Sequence, residues 1–148
     1  MPEKLLYFAY GSNMSTKRLL SRVPSGKCIG RAKLLDKDLV CNKEGEDGSG
    51  KANLVDSPGD VVWGVLYEID PREINKLDRF EDGYQRVTLG VITDQGNSLK
   101  AQVYFSLQLT DDPRPYTWYK DLIVKGAIKH QLPKYYVGSL EQIPSKDK

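Results

Sequence analysis

Residues 7–14 read YFAYGSNM: an apolar, aromatic segment ends abruptly in Gly11, Ser12 and Asn13, and a helix is predicted to begin beyond them. A buried strand that runs into a helix leaves free backbone N–H groups at the turn, and Gly11 lets the backbone approach a ligand closely. The N-terminus of the helix also favours a negative group. The junction therefore predicts an anion-binding turn. An ordinary strand-to-helix turn without a ligand is the alternative, and the turn alone favours it.

Composition limits the class of protein. The 148 residues, of which 39% are hydrophobic, fit one domain over 1–148 with a single core. The net charge is only +2, with basic and acidic residues spread along the chain, so no nucleic-acid partner is expected. Two cysteines and one histidine are too few for a structural zinc site or a disulfide framework, so we expect no metal and no cofactor. The sequence shows no signal-type segment and no run of about 18 apolar residues, which predicts a cytoplasmic protein without a membrane partner.

The spacing of apolar residues predicts an α+β chain. The predicted strands cover 5–10, 28–32, 39–40, 52–55, 61–69, 85–93 and 99–107, and the predicted helices cover 15–22, 71–80, 116–129 and 133–140. Asp70 is expected to cap the second helix, with Glu73 bonding back in a capping box. We predict a mobile loop at 42–51, a turn at 56–60 and a frayed tail at 143–148. Because strands outnumber crossover helices and the last two share a hairpin, the sheet should be mixed or mainly antiparallel.

Glu81 is the strongest candidate for a chemical role. On the second predicted helix, positions 74, 77 and 81 share one face, because seven residues make nearly two turns. Glu81 then ends an apolar stripe of Ile74 and Leu77, where desolvation raises the pKa of a carboxyl and suits it to proton transfer near neutral pH. The alternative is a solvated glutamate at a helix end, which the periodicity alone favours.

The stretch at 7–14 resembles the signature strand and loop of the γ-glutamylcyclotransferase (AIG2-like) family. Matching segments follow in order at 30–32, 57–65, 77–83, 119–127 and 132–136, so that the resemblance spans almost the whole chain. The pairing of the opening motif with a Leu-Asp-x-x-Glu segment ending at Glu81 is its most specific part.

The resemblance implies a small closed β-barrel with peripheral helices and a pocket at one barrel end. It implies a cofactor-independent enzyme in which the α-amine of a γ-glutamyl-amine or γ-glutamyl-amino acid attacks its own γ-carbonyl, releasing 5-oxoproline and a free amine. By motif, Glu81 corresponds to the catalytic acid/base. The implied substrate-binding residues are Tyr7, Phe8, Ala9, Tyr10, Gly11, Ser12, Asn13, Tyr84 and Tyr119.

Several alternatives stay open at this point. Tyr116 is a rival for Tyr119, and a core role with a bonded hydroxyl is an equal alternative for each tyrosine. Tyr7 and Tyr10 would face opposite sides of a regular strand, so only one is expected to line the pocket directly. The partner is a small-molecule γ-glutamyl substrate, with homodimerisation left open. Rival functions are cyclisation of another γ-glutamyl donor, such as an isopeptide or a γ-glutamylated metabolite, and binding of a small anion without turnover.

Overall fold

The computed structural model describes residues 4–148, which form five strands and four α-helices. The strands are β1 (Leu5–Ala9), β2 (Lys27–Glu44), β3 (Gly50–Ile69), β4 (Gln85–Thr93) and β5 (Ser98–Phe105). The helices are α1 (Thr16–Arg22), α2 (Ile74–Phe80), α3 (Thr117–Lys129) and α4 (Lys134–Glu141), with 3-10 turns at Ser12–Met14 and Pro71–Glu73 before α1 and α2. None of the helices in the described part of the chain is long and apolar enough to cross a membrane.

The strands close into a barrel in the order β1-β3-β2-β4-β5. Neighbouring strands are antiparallel except β1 and β5, whose parallel pairing at Tyr7 and Gln102 closes the barrel. The predicted fold, a mixed and mainly antiparallel closed barrel with peripheral helices, is therefore confirmed. Phe8 and Ala9 in β1 are fully buried, because this short apolar strand is covered on both faces.

The turn predicted at 56–60 is wrong, since β3 runs through it without a break. Leu35 pairs with Val61 and Lys37 pairs with Asp56, so four residues of β3 lie opposite the single residue Asp36. The Asp36 carboxylate accepts a hydrogen bond from the Gly59 N–H at 2.9 Å, and Gly59 has a φ of +88°. The Pro-Gly signal therefore produces a bulge within a strand pair instead of ending the strand.

The loop predicted at 42–51 and the frayed tail predicted at 143–148 also differ from the structure. β2 continues to Glu44 and β3 starts at Gly50, so only 45–49 connect them. In the tail, the backbone of Lys146 accepts from Thr117 at 3.0 Å, and its ammonium donates to the Gly48 carbonyl at 2.9 Å. Both segments are held by polar contacts between distant parts of the chain, which composition does not report.

The predicted cap at Asp70 is confirmed, because its side chain accepts from the Arg72 N–H. At α1 the Ser15 side chain accepts from the Arg18 N–H and caps the helix. The capping box is wrong, because the Glu73 carboxylate accepts from the backbone N–H of Ser25 at 2.8 Å instead. This bond ties the start of α2 to the segment that follows α1.

Candidate active site

A small cavity lies where β1 and β5 end and α3 begins. Its lining is Tyr7, Tyr10, Gly11, Ser12, Asn13, Ala52, Glu81, Tyr84, Tyr104 and Tyr119. The structure thus brings eight of the ten predicted site residues together. Phe8 and Ala9 do not reach the cavity: both are fully buried in the core, and a Cβ atom at Gly64 would stand 2.7 Å from the Phe8 ring.

Tyr7 and Tyr10 both line the cavity, so the expectation that only one would do so is wrong. β1 ends at Ala9, and strand alternation no longer applies to Tyr10. Between the two rivals on α3, Tyr119 faces the cavity, whereas the Tyr116 hydroxyl donates to the carbonyl of Asp47 at 2.6 Å.

Sequence reasoning missed Ala52 and Tyr104. The Tyr104 ring packs edge-on against Tyr7, with the ring centroids 5.8 Å apart, because β5 lies beside β1 in the closed barrel. Ala101 and Val103, which alternate with Tyr104 and its neighbours along β5, are fully buried. A long-range strand pairing is needed to place Tyr104, and single-sequence periodicity carries no signal for it.

Glu81 follows the last residue of α2, and its backbone N–H donates to Leu77 at 2.9 Å. Ile74 and Leu77 are buried, as the shared helix face predicts, and the Glu81 side chain is only 14% exposed. Its Oε1 accepts from the Asn13 side-chain amide at 2.9 Å. Burial raises the pKa of the Glu81 carboxyl, and the positive charges of Arg22 and Arg18 oppose that rise without cancelling it.

The tyrosine hydroxyls around the cavity are mostly bonded to the backbone. Tyr10 donates to the Tyr104 carbonyl, and Tyr84 donates to the Ala52 carbonyl at 2.6 Å. The Tyr119 oxygen accepts from the Ala52 N–H at 3.1 Å. Burial raises the pKa of each of these hydroxyls, so they stay protonated.

The hydroxyl hydrogens of two cavity tyrosines, Tyr7 and Tyr119, are not used in these bonds. The Tyr7 oxygen accepts from the Asn13 amide at 3.1 Å, but neither the Tyr7 nor the Tyr119 hydroxyl hydrogen has an acceptor within residues 4–148. Both are therefore available to an acceptor atom in the cavity.

The turn at Gly11–Met14 carries unused backbone donors. Ser12 and Asn13 begin a 3-10 turn, so their N–H groups have no intrahelical partner, and no carbonyl elsewhere in residues 4–148 accepts from them. A Cβ atom at Gly11 would stand 3.1 Å from the Cβ of Ala52, so a side chain here would crowd this wall of the cavity.

A chain of hydrogen bonds that starts at Tyr67 of β3 supports the Gly11–Met14 turn. The fully buried Tyr67 has one hydroxyl hydrogen, which it directs at the carbonyls of Asn13 at 3.1 Å and Met14 at 3.3 Å. The Thr16 hydroxyl at 3.1 Å therefore donates to the Tyr67 oxygen. Thr16 then accepts from the Nε2–H of His130, also at 3.1 Å. Burial raises the pKa of Tyr67 to about 12, which keeps the donor protonated.

Helix α3 packs directly on the same turn. A Cβ atom at Gly126 would stand 2.9 Å from the Cβ and 3.1 Å from the carbonyl carbon of Met14. The turn is thus fixed by a hydroxyl from β3 on one side and by helix backbone on the other.

Comparison with known proteins agrees with this architecture. Residues 61–140 match the model of the AIG2-like family. This segment contains α2, Glu81, the β4–β5 hairpin, all of α3 and all but the last residue of α4. The match defines the class of protein from its second half, independently of the motif at 7–14.

The full chain also matches individual proteins of known name over nearly its whole length. It is 34% identical to the γ-glutamylcyclotransferase of Homo sapiens, over 98% of this chain and 81% of that protein. It is 33% identical to the γ-glutamylcyclotransferase of Bos taurus with the same coverage of both chains, 98% and 81%. A solved γ-glutamyl cyclotransferase structure superposes with a TM-score of 0.92 at 32% identity, covering 99% of this chain and 91% of that one. The chain therefore belongs to the γ-glutamylcyclotransferase family, which confirms the resemblance seen in its motifs.

Proposed function

We propose that this protein converts a γ-glutamyl-amine or γ-glutamyl-amino acid into 5-oxoproline and the free amine, without a cofactor. The observation that supports it most is the Glu81 carboxylate. It is desolvated at the wall of a cavity and bonded through one oxygen to Asn13 of the donor-rich turn. A carboxyl whose pKa is raised by burial is suited to move a proton near neutral pH.

Glu81 would act twice in one turnover. The substrate's α-amine arrives as an ammonium, and Glu81 accepts its proton, so that the nitrogen lone pair can attack the γ-carbonyl carbon. In the tetrahedral intermediate the ring nitrogen still carries two hydrogens. Glu81 returns the first proton to the leaving nitrogen, and the bond from the carbonyl carbon to that nitrogen breaks. Glu81 then removes the second proton from the ring nitrogen and passes it to the amine, which departs as an ammonium. Atoms and charge balance, because ring closure consumes neither water nor another reactant.

Holding the substrate folded is the second task. Ring closure is intramolecular, and fixing the amine against the carbonyl removes much of the remaining entropic barrier. The free N–H groups of Ser12 and Asn13 would bind an anionic oxygen, either the α-carboxylate or the developing oxyanion. The unused hydroxyl hydrogens of Tyr7 and Tyr119 would serve the other oxygen.

A direct assay tests the proposal. The purified chain is incubated with a panel of γ-glutamyl-amino acids, γ-glutamyl-amines and a γ-glutamyl isopeptide, and 5-oxoproline is measured. We expect turnover of at least one member, and Glu81→Gln should lower kcat at least about 100-fold, because an amide cannot accept the ammonium proton. Asp82→Asn is the matched control, since Asp82 is the exposed carboxylate next in the chain.

Two results would contradict the proposal in different ways. Binding of a γ-glutamyl compound without 5-oxoproline would favour an anion-binding protein on the same fold. Normal turnover by Glu81→Gln would remove Glu81 from the mechanism but leave the cyclisation itself in place.

A further inference from the structure

Arg22, the last residue of α1, makes a set of contacts that the cyclisation as described does not use. Its Nη1 lies 3.9 Å from Glu81 Oε1 and 3.5 Å from Asn13 Oδ1. Its guanidinium carbon lies 5.0 Å from the centroid of the Phe80 ring. The side chain is only 18% exposed, so an aromatic face and two polar oxygens fix a partly desolvated cation beside the cavity.

Asn13 bridges the cation and the carboxylate. A guanidinium can only donate, so the amide oxygen of Asn13 must face Arg22 and its NH₂ group must face Glu81 and Tyr7. The distances fit this orientation, at 2.9 Å from Nδ2 to Glu81 Oε1 and 3.1 Å to the Tyr7 oxygen. Asn13 is 4% exposed, so water does not compete for these bonds.

Both contacts fall on the same oxygen of Glu81. Oε1 receives the Asn13 amide and the Arg22 charge, whereas Oε2 has no hydrogen-bond partner within residues 4–148 and is not fully enclosed. Glu81 lines the cavity, so the free oxygen is the one that a bound ammonium could reach.

We propose that Arg22 is a positioning residue for the cyclisation: acting directly and through Asn13, it holds Oε1 of an ionised Glu81 so that Oε2 is free to take the substrate's proton. This inference rests on the proposed function, because the cyclisation supplies the proton that Oε2 accepts.

The charges around Glu81 single out Arg22. The cations that face it are Arg18 and Arg22 from α1 and Lys43 from β2, and the Arg22 charge opposes the effect of burial most. The other titratable groups that face it are the cavity hydroxyls of Tyr7, Tyr10, Tyr84, Tyr104 and Tyr119, all kept neutral by burial. Without the Arg22 charge, less would oppose the effect of burial, and the pKa of the Glu81 carboxyl would rise further.

The test compares pH profiles of kcat/KM for the wild type, Arg22→Gln and Arg79→Gln. Arg79 is exposed on the same surface as Arg22 and makes no ion pair or side-chain hydrogen bond in residues 4–148, so it controls for loss of one nearby charge. For Arg22→Gln we expect the acid limb to move to higher pH, with activity about tenfold lower on that limb. Arg79→Gln should keep the wild-type profile. A profile of unchanged shape in Arg22→Gln would overturn the proposal, because a merely structural role lowers the rate at every pH.

Arg22→Lys keeps the test decisive if the neutral variant does not fold. Lysine retains the charge but lacks the planar guanidinium that lies over the Phe80 ring while its Nη1 reaches Asn13 and Glu81. We expect the wild-type acid limb with a kcat lowered several-fold. Wild-type kcat together with a wild-type limb would refute the positioning role.

A second readout does not depend on turnover. The side-chain carboxyl of Glu81 is followed by ¹³C NMR through a pH titration and assigned by its absence in Glu81→Gln. Its midpoint should lie higher in Arg22→Gln than in the wild type, and equal midpoints would overturn the proposal. If the wild type formed no 5-oxoproline but the midpoint moved, the proposed function would fail while the pairing of Arg22 with Glu81 stood.

Discussion

Replacing Tyr67 by phenylalanine isolates the hydroxyl that supports the Gly11–Met14 turn. The ring is fully buried. Its hydroxyl bonds the carbonyls of Asn13 at 3.1 Å and Met14 at 3.3 Å and the Thr16 hydroxyl at 3.1 Å. Phenylalanine fills the same space but leaves these partners without the hydroxyl. A buried polar group left unpaired costs roughly 1–3 kcal/mol, so we expect a loss of about 2 kcal/mol in the free energy of unfolding.

Thermal and chemical unfolding measure this loss. At about 2.1 cal/mol/K of unfolding entropy per residue, a 148-residue chain should lose about 6 °C in Tm for 2 kcal/mol. The denaturant m-value should stay unchanged, because the same surface is exposed on unfolding. In the assay, kcat/KM should fall, since in the proposed mechanism the turn holds an anionic oxygen of the substrate or of the intermediate.

Tyr135→Phe is the matched control. Tyr135 is 69% exposed, and its oxygen accepts from the Trp63 indole at 2.9 Å, so its loss should change stability by no more than about 0.5 kcal/mol. If Tyr67→Phe changed the free energy of unfolding as little as the control, the chain of hydroxyls would not support the turn, and the inference from its geometry would be refuted.

Two further predictions concern the same site. Burial raises the pKa of Glu81 in the folded state, so the folded protein binds this proton more tightly than the unfolded chain. The stability that this difference contributes is fully present below the unfolded pKa and is lost as pH rises through the folded pKa. Glu81→Gln should therefore gain stability over the wild type as pH rises through this window, and a difference in unfolding free energy that is flat with pH would count against the burial argument. Gly126→Ala should displace the turn, because its Cβ would meet the Cβ of Met14 at 2.9 Å, whereas Gly138→Ala on α4 meets nothing within 4 Å. We expect a lowered kcat/KM and a lowered Tm for the first variant and a gain of about 0.5–1 kcal/mol in the free energy of unfolding for the second; equal effects of the two would refute the packing argument.

The sequence predicts those parts of the site that depend on local order. The helical spacing of Ile74, Leu77 and Glu81 aligned the carboxylate with an apolar stripe, although that spacing alone favoured a solvated glutamate. In the structure the stripe is buried and the Glu81 side chain is 14% exposed. The apolar run before Gly11 predicted a buried strand, and Tyr7, Phe8 and Ala9 of β1 are buried. In each case the deciding interaction lies within one element or at its end.

Interactions between distant segments account for what was missed. Asp36 converts a Pro-Gly turn signal into a bulge by accepting from Gly59. Ser25 takes over the Glu73 carboxylate that a capping box would have used. Tyr104 enters the cavity because β5 pairs with β1. None of these contacts has a local sequence signature, since each partner lies outside the window in which periodicity and turn chemistry apply.

The parallel pairing of β1 with β5 has a consequence for how the protein acquires activity. It joins the first strand to the last, and the bond from Tyr10 to Tyr104 spans 94 positions. Contacts of such long range form late and slowly in folding, because the chain must lose loop entropy before they form. A refolding molecule can build its hairpins early, but it assembles the Gly11–Met14 turn against Tyr104 only when this seam closes. Recovery of activity should therefore follow the slowest phase of refolding, so that its rate measures the rate at which the barrel closes.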